Sequence, residues 1–344
     1  MADRAIANRG EGAAATGLVR YDDVEKPPSP PPGPGVETPG VKIPSERLKP
    51  EAVFTTDGSP DWLATVEADG SVWISDNPNS RVVRLDAKND AVAAIIAVGK
   101  NPSSGLAAGF GSLWVPICGE DALSRIDLKT NEVTATFPAT TSDFEASIAT
   151  GAGSVWLMTD ANGTLSRFDP ATNRVVAKIQ LPTGSYGLTF AEGTLWVTST
   201  EHGTVARVDP DTNLVAATIP AGPSPRFIAA GEGAIWALDE GDGRVSRIDP
   251  MTNELVATIE VGTADYNGIA VGEGSVWVSA FDYPLSRIDP STNHVVQQFY
   301  HASVGGFRIG CAIHVGLGSV WVSNEREGNV WRLDPRRVAA TLPE

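Results

Sequence analysis

Four histidines and two cysteines are spread over this 344-residue chain, and their spacing rules out more chemistry than it offers. His202, His294, His301 and His314 make no H-x-H, H-x-E or HExxH pattern, so no imidazoles stand at the interval a zinc site needs. Cys118 and Cys311 are too few for a cysteine metal cluster or a disulfide scaffold. A GxSxG elbow is absent, which leaves a serine hydrolase without its nucleophile. What remains is carboxylates, arginines and aromatics: Tyr186, Arg226, Phe227, Glu240, Tyr266, Asn267, Asp282, Arg308 and Glu325. Gathered around one opening, such groups would hold a polar ligand with an apolar portion. A carboxylate pair among them could also do general acid–base work if a neighbour raised one pKa.

A repeat must position these residues. A Gly-x-[VLI]-Trp signature ends at Trp73, Trp114, Trp156, Trp196, Trp236, Trp277 and Trp321, at intervals of 41, 42, 40, 40, 41 and 44 residues. Each unit holds four short strand patterns; in the fifth they read RFIAAG, AIWAL, RVSRIDP and ELVATIEV. The period and the strand count predict an all-β, seven-bladed propeller with four antiparallel strands per blade. The repeated tryptophan is large and flat, which suits packing between blades. The third and fourth strands are joined by DPATN, DPDTN, DPMTN and DPSTN, starting at Asp169, Asp209, Asp249 and Asp289. Aspartate accepts from the N–H groups ahead of it, proline presets the next φ, and asparagine takes a positive φ cheaply. Most of these turns carry one carboxylate, too few for a calcium loop.

A ring of blades must join its ends or leave strand edges exposed. RVAATLP, from Arg337, resembles an outer strand such as NLVAATIP at Asn213, and EAVFTTDGSP, from Glu51, resembles the same strand with its exit turn. The sequence therefore offers eight outer strands for seven blades. The N-terminal copy is expected to dock on the last blade, with either segment forming its edge.

The unit G-[IL]-A-x-G-x-G-S-V-W-V, continued by S-R-I-D-P-x-T-N-x-V-V-A-T-I, resembles the bacterial YncE/YVTN-type propellers and the streptogramin (virginiamycin B) lyase group from Pro50 to Glu344. The resemblance implies a propeller. In the lyase group it also implies elimination across an ester linkage by histidines, a glutamate and a magnesium ion. There a histidine often precedes the glycine of the first strand; the matching positions here are Ser104, Tyr186, Arg226, Asn267 and Cys311.

Function in such a scaffold concentrates in loops. One face carries the loops leading into each first strand and those leaving each second strand. The first set supplies Asp61, Trp62, Glu145, Tyr186, Arg226, Phe227, Tyr266, Asn267 and Arg308. The second supplies Asp76, Cys118, Asp160, Glu201, Glu240, Asp282, Tyr283 and Glu325. Units five and six place Arg226, Phe227, Glu240, Tyr266, Asn267 and Asp282 in adjacent blades, and the long seventh loop HASVGGFRIGC is suited to a flap. The Arg226 guanidinium suits a carboxylate, of a ligand or of Glu240. Cys118 and Cys311 fall on the same face, where either a disulfide or two thiols fits.

The net charge of −16 argues against a nucleic-acid partner, and no apolar run reaches the length of a membrane span. Residues 1–45, with PPSPPPGPGVETPGV at Pro27–Val41, read as a disordered lead ahead of a propeller at 46–344. Residues 1–20 lack the apolar stretch of a secretory signal. The expectation is a periplasmic or secreted monomer whose signal lies outside this sequence, with a cytoplasmic protein as the alternative. Two functions stand. One is binding of a polar small-molecule or peptide-like ligand at the central opening, with no metal or other cofactor assigned. The other is a lyase or lactonase-like hydrolase using loop carboxylates and a divalent cation, magnesium or calcium.

Overall fold

The computed structural model describes residues 42–102, 105–141, 147–262, 266–280, 283–300 and 312–342, the side chains of Tyr266 and Asn267 excepted. Seven antiparallel sheets form, each built on four consecutive strands except where the chain ends meet. The fifth blade is typical, with strands Pro225–Gly231, Ala234–Asp239, Arg244–Asp249 and Glu254–Glu260 running from inner to outer. Inner strands touch those of both neighbouring blades in cyclic order, and the first blade closes on the seventh. Among the described residues no helix is long and apolar enough to cross a membrane.

The signature tryptophans are the largest fully buried side chains. In the second to seventh blades the indole N–H donates to a carbonyl five residues back, as from Trp236 to Gly231 at 3.0 Å and from Trp196 to Ala191 at 3.3 Å. An arginine of the third strand lies over the indole, Arg167 on Trp156 at 4.8 Å and Arg247 on Trp236 at 5.0 Å. Its far nitrogen reaches the next blade's Asp-Pro turn: Arg247 Nη1 donates to Pro290 O and to Asn293 Oδ1, both at 2.6 Å. Asn293 takes φ 58°, and the matching asparagines of the sibling turns are similar. The leading aspartates accept from the N–H two residues on, as Asp249 does from Met251 at 2.7 Å. Hydrogen bonds from turn residues hold the Asp86, Asp127, Asp169, Asp209 and Asp289 carboxyls below their ordinary range. The chief donors are the Asn89 side chain for Asp86, the Thr130 N–H for Asp127, the N–H two residues on for Asp169 and Asp209, and the Ser291 hydroxyl for Asp289.

Closure uses the N-terminal segment. Ala52–Thr55 pairs antiparallel with Asn329–Leu333 as the outer strand of the seventh blade. Lys42–Pro44 adds a fifth strand, parallel to His294–Tyr300, on the sixth blade. Regular structure is thus present at Lys42, inside the stretch read as lead; residues 1–41 lie outside the described residues. RVAATLP is not an outer strand, because Pro335–Ala339 is a helix. Its edge position is already filled by Ala52–Thr55. The asparagine that gives the sibling turns their positive φ is also missing, so the chain continues in right-handed turns capped by Asp334, which accepts from Arg336 N at 2.8 Å. Gln297 ties the helix to the sixth blade, donating to Val338 O at 2.8 Å and Thr341 O at 2.7 Å.

Opposite the tryptophans, the inner strands place Ala64, Ala107, Ala149, Thr189, Ala229, Ala270 and His314. His314 is the large member of this small-residue ring, and its Nε2 lies 3.1 Å from Thr65 Oγ1 of the first blade. Burial pushes its imidazole down to about 4.

Two outcomes follow from this packing. Ile43 is fully buried beside Trp277, Phe299 and Val338. Ile43→Ala should therefore cost about 2–5 kcal/mol in urea unfolding, while removal of residues 1–41 should leave the melting temperature within a few degrees. A truncated protein that melts as early as the Ile43 variant would show the lead to be packed. For His314, the unfolded chain binds a proton near pH 6.5 that the folded chain resists until about 4. Stability should fall as pH drops through that interval, by at most about 1.4 kcal/mol per unit, and His314→Gln should flatten this acid limb. Acid limbs of equal slope would mean that the imidazole titrates freely.

Candidate functional site

Two residues before the positions opposite the tryptophans, toward the face predicted to carry function, stand Trp62, Gly105, Ser147, Gly187, Phe227, Gly268 and Ala312. Two positions are large aromatics and five are small. The small ones leave room for the large ones to cross the opening. Trp62 of the first blade stacks on Phe227 of the fifth, with ring centroids 5.8 Å apart and planes 29° from parallel. Tyr186 of the fourth blade meets Phe227 edge-on at 6.3 Å and 88°. Beside this group lies a cavity of about 90 Å³ lined by Trp62, Gly105, Ser147, Ile148, Tyr186, Gly187, Leu188, Phe227, Ile228 and Ile269.

Backbone irregularity aims the polar residues. Three inner strands carry one extra residue against their partner near their start: between Ser185 and Leu188, Pro225 and Phe227, and Tyr266 and Gly268. Such bulges bend the strand and redirect a side chain. The residues gained are placed where Tyr186, Arg226 and Asn267 stand. The bulges are held from below: Gly187 N donates to Thr198 Oγ1 at 2.9 Å, and Thr198 Oγ1 donates to Arg226 O at 2.8 Å. Gly187 has to be glycine, because a Cβ there would collide with the Arg226 carbonyl oxygen.

Arg226 is the polar centre. Its Nη2 donates to Tyr186 Oη at 2.9 Å, and its guanidinium carbon lies 4.6 Å from the Tyr186 ring centre and 5.2 Å from that of Phe227. Nη1 is 3.4 Å from both Glu240 carboxylate oxygens. The pair keeps solvent contact, 30% for Arg226 and 20% for Glu240, so it is worth no more than about 1 kcal/mol to the fold. Its effect is positional: Glu240 and the two rings fix the guanidinium plane at the rim.

Of the residues singled out in the sequence, the structure brings Tyr186, Arg226, Phe227 and Glu240 together. Tyr266 and Asn267 begin the inner strand of the sixth blade. Asp282, Arg308, Glu145 and Cys311 lie outside the described residues. Glu325 is exposed in the exit turn of the seventh blade and does not line the cavity. Trp62 was assigned to a loop but not to the cluster. A signal was there, since it is a tryptophan outside the repeated signature. Among the described residues no three His, Cys, Asp or Glu are gathered as a metal site, and the Glu240 carboxylate is engaged by Arg226.

No known family profile matches the chain, and no curated protein matches it. Solved structures do. A streptogramin B lyase is 19% identical with a TM-score of 0.66, over 81% of this chain and 94% of that one. A catalytically inactive virginiamycin B lyase from Staphylococcus aureus, with quinupristin, is 16% identical with a TM-score of 0.69, over 81% of this chain and 96% of that one. A selenomethionine form of the Staphylococcus aureus enzyme gives 16% and 0.66, over 82% and 98%. At these identities the likeness shows the shared seven-bladed fold.

Proposed function

We propose that this chain is a ligand-binding propeller that takes an aromatic-bearing polar small molecule or short peptide-like molecule at its central opening. The observation that carries the reading is the cluster at the rim: three aromatic rings from three blades, with a guanidinium locked over two of them. Aromatic rings bind flat apolar groups, and Arg226 with Tyr186 Oη supplies directional donors beside them. At about 90 Å³ the cavity is well below the roughly 300–1,000 Å³ that encloses a drug-sized ligand. The ligand therefore inserts one ring or side chain and spreads its polar remainder over the rim.

A lyase is the second reading, and the structural likeness to streptogramin B lyase favours it. Incubation with quinupristin, followed by mass spectrometry, separates the two readings: a linearised product isomeric with the substrate means elimination, and unchanged mass and retention mean none.

Arg226→Ala is the direct test of the site. It should weaken binding of an aromatic depsipeptide or peptide probe at least about tenfold, while costing less than roughly 1 kcal/mol in unfolding because the ion pair is solvent-screened. Trp62→Ala should weaken the same probe. An Arg226→Ala protein that binds normally but melts early would take Arg226 out of the site and make it a packing residue.

A further inference from the structure

The first and fifth blades carry the same three polar positions with one difference. In the first blade Asp76, Asn79 and Arg81 form a closed set: Arg81 Nε donates to Asp76 Oδ2 at 2.6 Å, and Asn79 Nδ2 donates to Asp76 at 2.8 Å. Ser59 N completes it at 3.2 Å. In the fifth blade the matching residues are Asp239, Asp242 and Arg244, with Asp239 cross-strand from Arg244 as Asp76 is from Arg81. An aspartate thus replaces the asparagine that donated to the buried carboxylate.

The set no longer closes. Arg244 turns to Asp242, with Nη1 3.4 Å from Oδ2. Asp239 is fully buried and receives Ser246 Oγ on Oδ2 at 2.7 Å, while its Oδ1 and the Nε of Arg244 are buried without a hydrogen-bond partner. An ionised carboxylate left so would pay the desolvation cost of an unpaired buried charge. We propose that Asp239, Asp242 and Arg244 form a two-carboxyl, one-guanidinium proton site, which holds one proton at neutral pH and exchanges it for an Asp239–Arg244 ion pair like that of the first blade when the proton leaves to solvent.

The surroundings agree. Burial drives the Asp239 carboxyl well above its ordinary range, Asp242 adds to this, and only Ser246, the Gly222 N–H and Arg244 oppose it. Asp242 is raised too, by burial and by Glu260 of the outer strand, against Arg244. The preceding loop, Ala221–Ser224, contributes no charge. The next residue after Asp239 is Glu240, which holds Arg226, so the proton site adjoins the rim through one peptide bond.

The sign is set by the raised carboxyl. Above the ordinary aspartate value of about 3.9 the unfolded chain releases a proton that the folded chain keeps, so folding stability falls as pH rises toward the native value. His314 has the opposite slope, confined below about pH 6.5, and the comparison belongs above that. Infrared difference spectra of the wild type at pH 7 should show a protonated-carboxyl C=O band, absent from Asp239→Asn. Asp242→Asn restores the first-blade pattern and should lower the midpoint of that band by at least about one pH unit, with a melting temperature at pH 8 above that of the wild type. A wild-type spectrum without the band at pH 7 overturns the proposal, and so does a band that survives in Asp239→Asn. A midpoint unmoved in Asp242→Asn overturns the exchange of Arg244 between the two carboxyls.

Discussion

The ring depends on one repeated contact: an arginine sandwiched between its own blade's tryptophan and the next blade's turn. Sheets in a propeller meet face to face, and apolar faces slide against each other unless something directional fixes their offset. The guanidinium supplies both terms. Its plane stacks on the indole, and its fork donates to a carbonyl and to an asparagine side chain one blade on, as Arg167 does to Pro210 O and Asn213 Oδ1. The asparagine can receive it only because its positive φ turns the side chain toward the preceding blade. The turn residues are therefore chosen for the interface as well as for the turn.

The joint between the sixth and seventh blades shows what happens when that contact is lost. The seventh blade has no Asp-Pro-x-Thr-Asn turn, so Arg287 has no asparagine to reach and bonds Gln297 within its own blade at 3.1 Å. Gln297 passes the contact on to the C-terminal helix. The extra strand Lys42–Pro44 covers the same blade, adding Ile43 to its packing. Both chain ends thus reinforce the one joint that the repeat leaves without its usual contact, and the seventh blade is closed by pairing rather than left with a free edge.

The fold was legible because its information is periodic. Seven tryptophans at near-equal spacing define the blades, and the Asp-Pro turns define where third strands end. The C-terminal helix was harder to read, since RVAATLP closely resembles an outer strand; the edge taken by Ala52–Thr55 and the missing turn asparagine decide against it. The site was half legible. Tyr186, Arg226, Phe227 and Glu240 stand out as departures from their siblings. The bulges do not, because each lies at the start of its strand, where the preceding loop leaves no alternation for the extra residue to interrupt. Nor could the stacking of Trp62 on Phe227 be read, since those residues lie in the first and fifth blades and meet only when the ring closes.

Charge bears on what such an opening would select. Glu240 already neutralises Arg226, so a ligand carboxylate would have to displace an internal partner to gain the guanidinium. The whole molecule carries a net charge of −16, which repels anions at long range. Both effects act against an anionic ligand. Discrimination under the proposed reading then comes from ring shape and hydrogen-bond geometry. Salt should consequently change affinity little, because no unscreened charge pair forms on binding.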